Sequence, residues 1–237
     1  MARALALGWG EPVVATDSGT GRAAALVAEL GGEALGTDVA AAAARAEVLL
    51  LAHKPHQLDD VAGRVGSFTG LVVSVLGGVS LAQLRNAYPG ASVSRVMPNT
   101  AVELRRGVSL IADGGDEAEA VRELFSRVGV TVTLPETAMA AGTGISGVGP
   151  AYVALFAEAW VDAGVRAGLK PADATAIVTE TIAGSAALLT ARDGDTLAIR
   201  RAVASPGGTT ARGLRALTDG GLPSAVHAAM DATVGSS

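Results

Sequence analysis

From Val13 to Leu134, short runs of apolar and largely β-branched residues alternate with segments of helical period. The runs are VVAT from Val13, VLLLA from Val48, LVVSVL from Leu71, SVSRVM from Ser92, VSLIA from Val108 and VTVTL from Val130. Between them, helices are predicted at Gly21 to Leu30, Asp38 to Ala46, Pro55 to Val65, Leu81 to Ala87 and Asp116 to Val128. Strands joined by helices and short turns specify βαβ units, and so a Rossmann-like, doubly wound parallel sheet. After Pro135 the strand signal stops. Helices are predicted at Pro150 to Ala167, Pro171 to Ala191, Thr196 to Val203, Thr210 to Leu217 and Pro223 to Thr233. Gly168 and Gly194 stand where helix ends favour glycine, and Pro150, Pro171 and Pro223 where helix starts accept proline. The pattern divides the chain into an α/β domain over residues 1–134 and an all-α domain over residues 135–237.

A dinucleotide-binding fold opens with a strand, a G-x-G-x-x-G loop and a helix, followed by a second strand that ends in an acidic residue. Here MARALALG is already helical in pattern, VVAT is the second strand, and Asp17 stands at its carboxyl end, where a ribose hydroxyl would bind. The first strand and its phosphate loop are therefore missing from the sequence as it stands, and the natural product is expected to begin about a dozen residues earlier. Beyond Asp17, the loop offers Ser18, Thr20 and Arg22 to the adenosine ribose. An arginine with hydroxyls receives a 2′-phosphate, whereas Asp17 repels one, so both NADPH and NADH stay open; a solvated turn is the plainer reading of Ser18 to Arg22.

Hydrophobic residues make up 49% and charged residues 17% of the 237, with 31 glycines, which suits small-residue helices packed on a parallel sheet. A formal charge of −5 leaves no basic face for nucleic acid or anionic lipid. The absence of cysteine removes thiolate metal sites and thiol catalysis, and the spacing of His53, His56 and His227 matches no zinc site, so no metal is expected. The uncharged run Thr137 to Ala157 carries glycines and Pro150 and reads poorly as a membrane span; the start lacks the pattern of a secretory signal. A cytoplasmic, soluble protein is the expectation. The helical half is rich in Ala, Gly and Leu with few aromatics, which favours an interlocked homodimer over a lone bundle.

The stretch ASPGGTTARGL from Ala204 carries the most chemistry. Pro206 fixes one backbone angle, Gly207 and Gly208 permit positive φ, and a threonine caps the helix that follows. Such a turn is either a capped helix start or a cradle of amides, at the positive end of a helix dipole, for a phosphate or carboxylate.

Three stretches together resemble one family, the pyrroline-5-carboxylate reductases: RVMPNT from Arg95, GVGPAYV from Gly147 and SPGGTT from Ser205. LAHKP from Leu51 and GVSLAQL from Gly78 stand at the expected places, and the likeness runs from Met1 to about Thr233. The resemblance implies NAD(P)H-dependent reduction of a cyclic imine, 1-pyrroline-5-carboxylate, to L-proline, by a Rossmann-like domain followed by a helical dimerisation domain. It implies that the substrate carboxylate is seated by Ser205 and the amides of Gly207, Gly208 and Thr209. The Thr210 hydroxyl would lie near the ring nitrogen as the catalytic group. It places Lys54 and Pro55 beside the cofactor, where a surface lysine is the simpler reading, and Asn99 beside the nicotinamide, where a helix cap is the simpler reading. A homo-oligomer, at least a dimer and compatible with a ring of dimers, is implied as well. An oriented imine and nicotinamide gain several kcal/mol from proximity alone, so no strong protein acid is demanded.

The sequence departs from the family pattern at His53, Ala101 and Val148, the last removing a hydroxyl, which leaves a related cyclic imine open as substrate. Tyr152 reads as core packing, at helical spacing from Phe156. A hydroxyacid dehydrogenase would need a lysine on the helix Pro150 to Ala167, and there is none: the two lysines are Lys54 and Lys170. A non-catalytic homologue that dimerises without binding nucleotide is the alternative from another class.

Overall fold

The structure, a computed structural model, describes residues 1–234. Two compact units divide it, Met1–Pro150 and a second that begins at Ala151. The strand signal ends near Pro135 as predicted, but packing carries the first unit further, because α7 (Met139–Ser146) buries Met139 in the sheet's core.

The first unit contains α1 (Ala2–Trp9), β1 (Val13–Ala15), α2 (Arg22–Leu30), β2 (Gly32–Ala34), α3 (Val39–Ala43), β3 (Val48–Leu51), α4 (Leu58–Val65), β4 (Leu71–Ser74), α5 (Leu81–Ala87), β5 (Ser92–Pro98), β6 (Gly107–Ala112), α6 (Ala118–Ser126), β7 (Gly129–Leu134) and α7. Strands β3 to β7 form one sheet in chain order, and β1 and β2 a separate parallel pair. Every pairing is parallel except β5 with β6. The exception has a simple cause. A parallel return needs a crossover of a dozen or more residues, whereas β5 and β6 are joined by the short 3-10 turn Thr100–Leu104, so β6 must run back alongside β5.

Alternation along the strands covers both faces of the sheet, as a doubly wound fold requires. Val72, Val93 and Leu110 join one buried cluster with Leu58, Phe68, Leu84 and Met139. Val73, Val96 and Ile111 join the other, with Leu5, Val121 and Phe125. Helix α1 closes the second cluster: Trp9 meets Phe125 edge-on at 5.7 Å between ring centroids and donates from Nε1 to the Leu124 carbonyl at 3.0 Å. Gly8 lies so close to the Val102 carbonyl that a β-carbon there would overlap it.

The second unit is helical: α8 (Gly149–Arg166, which starts in the first unit), α9 (Pro171–Ala191), α10 (Thr196–Val203), α11 (Thr209–Asp219) and α12 (Leu222–Val234). Among its described residues, only Ala174 and Val178 are buried, while Leu155, Phe156, Trp160, Ile177, Val203 and Val226 lie exposed. Tyr152 is no core residue: it is exposed, and its hydroxyl meets Thr233 Oγ1 at 2.8 Å, because α12 supplies a polar partner there instead of a buried pocket.

Candidate active site

In α/β sheets, ligands gather at the carboxyl ends of the strands, and three such ends carry predicted site residues. At the end of β1, the Asp17 amide donates to the Gly36 carbonyl at 2.8 Å, which anchors the residue beside the loop after β2. Its carboxylate gathers three amides: Oδ1 accepts from Gly19 at 2.6 Å and Thr20 at 2.9 Å, and Oδ2 from Ala23 at 2.7 Å. The Ala23 amide is the chief reason that the Asp17 carboxyl lies below its ordinary value, with the Gly19, Thr20 and Gly21 amides adding to it against a desolvation that opposes. Asp17 thereby closes the loop that leads into α2. Ser18 sits exposed on that loop and Arg22 on the first turn of α2.

At the end of β3, Lys54 and Pro55 are exposed and open a 3-10 turn, Pro55–Gln57. The Lys54 amide donates to Gln57 Oε1 at 3.0 Å, and its carbonyl takes the Gln57 amide at 3.0 Å. His53 Nδ1 lies 2.9 Å from the same carbonyl and so carries the proton as donor. Its Nε2 is shielded and without a partner among the described residues.

At the end of β5, Asn99 stands just before the 3-10 turn Thr100–Leu104, but its side chain makes no capping bond to that turn. Its side chain is committed inside the first unit, Oδ1 accepting from the Val108 amide at 3.2 Å and Nδ2 donating to the Ser146 carbonyl at 3.2 Å. The Ser146 carbonyl is one of those left open at the end of a helix, here α7, and Asn99 satisfies it. One N–H of the side chain remains, and Asn99 ties the MPNT loop to β6 and to the end of α7.

In the second unit, Ser205 to Gly208 form a turn with Pro206 in second place and Gly207, at φ 68°, in third, closed by the Gly208 amide donating to the Ser205 carbonyl at 3.0 Å. The predicted set of amide donors therefore needs one correction: the Gly208 amide is spent inside the turn. Gly208 is also the residue before the first turn of α11, and its carbonyl takes the Arg212 amide at 3.2 Å. The amides of Thr209, Thr210 and Ala211, and that of Gly207, have no acceptor among the described residues. Gly208 cannot carry a β-carbon without meeting the Ser205 hydroxyl.

Two contributors were not foreseen. The Ala211 amide belongs to the set once the helix is known to start at Thr209. Arg212 Nη1 donates to the Gly207 carbonyl at 2.9 Å, which orients the Gly207–Gly208 peptide and sets a positive charge beside the open amides. The Arg212 guanidinium also approaches Thr209 Oγ1 at 3.5 Å, whereas the Thr210 hydroxyl makes no hydrogen bond among the described residues. A carboxylate is the ligand such a donor set suits. No group of metal-binding side chains occurs among the described residues.

A Rossmann-like unit with an acid at the tip of β1, followed by an apolar helical unit with a turn of open amides, is the build of a nicotinamide-dependent reductase of the two-domain class. The model of pyrroline-5-carboxylate reductase dimerisation matches residues 136–237, and that of NADP oxidoreductase, coenzyme F420-dependent, matches residues 1–78. The chain belongs to the pyrroline-5-carboxylate reductase family. It is 41% identical to the pyrroline-5-carboxylate reductase of Synechocystis sp. over 192 residues, 78% of this chain and 72% of the relative. It is 37% identical to that of Mycobacterium leprae over 226 residues, covering 83% and 77%. Among solved structures, 1-pyrroline-5-carboxylate reductase from Streptococcus pyogenes matches with a TM-score of 0.86 at 28% identity, over 100% of this chain and 93% of that one. Plasmodium falciparum pyrroline carboxylate reductase, solved with NADP bound, matches with a TM-score of 0.84 at 25% identity, over 98% and 91%.

Proposed function

We propose that the protein reduces 1-pyrroline-5-carboxylate to L-proline with NAD(P)H, the last step of proline biosynthesis. The open amides of the turn before α11 carry this reading: Gly207, Thr209, Thr210 and Ala211 offer donors to a small carboxylate, with the Arg212 charge close by. Ser205 and Gly208 shape the turn. Thr210 supplies a free hydroxyl for the ring nitrogen and so holds the protonated imine, whose carbon is already electrophilic. The residues present at the strand ends fit a nicotinamide dinucleotide: Asp17 offers an acceptor for a ribose hydroxyl, Ser18 and Arg22 flank it, Lys54 and Pro55 line the end of β3, and Asn99 keeps one N–H at the end of β5. When bound, the cofactor supplies a hydride, and the C=N bond becomes a C–N bond.

A second copy of the chain is the proposed cover for the apolar faces of α8, α9 and α12, giving at least a homodimer; a ring of dimers is compatible with it. Two stretches, Glu136–Arg166 and Pro171–Ala191, are long and apolar enough to cross a membrane. The match of residues 136–237 to a dimerisation family favours protein over lipid as their cover. With a net charge of −5, nucleic acid is no partner, and the cytoplasm is the proposed compartment.

Oxidation of NADH and NADPH by the purified protein, followed with and without the imine, tests the reading, and so does proline-dependent cofactor reduction at high pH. The expected result is imine-dependent turnover that falls at least tenfold in Thr210→Val. A protein that binds nucleotide but turns over no cyclic imine would overturn it. Light scattering that gave a monomer mass would remove the proposed dimer.

A further inference from the structure

We infer that Asp17 makes this reductase select NADH over NADPH. The inference rests on the nicotinamide-dependent reading above and goes beyond it by choosing between two cofactors. Counting hydrogen bonds at the carboxylate decides the matter. A carboxylate has about four acceptor sites, two on each oxygen. The Gly19 and Thr20 amides bond to Oδ1 and the Ala23 amide to Oδ2, and the Gly21 amide also faces the carboxylate. What remains is at most one acceptor position, on Oδ2. A ribose 2′-hydroxyl donates to such a position. A 2′-phosphate brings only acceptor oxygens, and about two negative charges, against a carboxylate held in its charged form.

The carboxylate cannot swing aside to admit a phosphate, because doing so strips three amides of their acceptor at once. Nor can the phosphate borrow the amides of Gly19, Thr20 and Ala23, which Asp17 already holds. The cations nearby do not offset this. Arg22 is exposed on the first turn of α2 with no ion pair among the described residues, where a solvated guanidinium contributes little. Arg64, which reaches the adjoining Thr37 carbonyl, is shared with Asp60 at 3.7 Å.

Dissociation constants for NADH and NADPH, measured by nicotinamide fluorescence on the purified full chain, test the inference in the unmodified protein, in Asp17→Ser and in Arg22→Ala. Serine keeps one acceptor for the loop amides while removing the charge. The unmodified protein should bind NADH at least tenfold more tightly than NADPH. Asp17→Ser should shift that ratio at least tenfold toward NADPH, and Arg22→Ala should leave NADH preferred. Competition on the unmodified protein needs no variant to fold: ADP should displace bound NADH, and 2′,5′-ADP should do so at least tenfold less well. Tighter binding of NADPH or of 2′,5′-ADP, or a ratio unmoved in a folded Asp17→Ser protein, overturns the role of Asp17 and leaves the reductase reading standing. Failure to bind either dinucleotide overturns that reading, and this inference with it.

Discussion

Asn99 offers the sharpest test of how the first unit is held together. Its side chain makes two bonds of 3.2 Å, one to the Val108 amide on β6 and one to the Ser146 carbonyl at the end of α7. The residue is 8% exposed, so water replaces neither partner well. Asn99→Ala removes both bonds, and at about 1 kcal/mol each the loss is about 2 kcal/mol. For a chain of this size, that lowers Tm by roughly 4–8 °C. Asn99→Asp separates the two bonds. Its carboxylate still accepts from Val108 but sets an oxygen against the Ser146 carbonyl, which only a protonated carboxyl can satisfy. The folded-state pKa of that aspartate is therefore raised above its unfolded value of about 3.9. Its contribution is fully present below the unfolded value and is lost as pH rises through the folded one. Urea unfolding at pH 5 and pH 8 should find Asn99→Asp less destabilised at pH 5, with Asn99→Ala equally destabilised at both. A loss under about 0.5 kcal/mol for Asn99→Ala, well short of two bonds, or an aspartate variant indifferent to pH, would refute the assigned partners.

Other outcomes follow from the same geometry. Gly207→Ala places a β-carbon at φ 68°, a strain of about 1 kcal/mol; the KM for the imine should rise well before Tm changes much, and an unchanged KM would detach the turn from substrate binding. Burial pushes the Tyr88 hydroxyl up to about 12, and it has no partner among the described residues; Tyr88→Phe should be neutral or stabilising by about 1 kcal/mol in chemical unfolding, whereas a clear loss would reveal a hidden partner. Glu136 is pushed up by burial, but the Leu81 amide and Arg95, at 2.7 and 3.0 Å, outweigh this and hold its carboxyl below the ordinary 4.5. Its stabilisation is present above that value and is lost as pH falls through the lower folded one. Glu136→Gln should cost about 1.5–3 kcal/mol at pH 7, and the gap from the unmodified protein should close below pH 4.5; a gap constant with pH would exclude a charged pair.

Much of this architecture was legible along the chain because local preferences and burial agree there. Leu81–Ala87, Pro171–Ala191 and Thr196–Val203 are helices at the predicted residues, since apolar spacing, caps and prolines act over a few positions. The family was legible for a related reason: SPGGTT combines a fixed φ, a positive φ and a helix start in six residues, and few sequences satisfy all three. Other features were decided by groups far apart in sequence. Gly32–Ala34 has no β-branched residue and becomes a strand by pairing with β1, where a β-carbon on Gly32 would overlap Val13. β6 turns antiparallel because of the length of its connection. The partners of Asn99 stand nine and forty-seven residues away, so nothing in MPNT announces them. Asp17 could be read as an acid at a strand tip, but the amides that leave it at most one free acceptor site come from the folded path of the loop. Sequence alone determined which segments prefer which backbone; the tertiary structure chose which hydrogen-bonding groups were spent and which stayed open, because that choice depends on who is brought within 3 Å of whom.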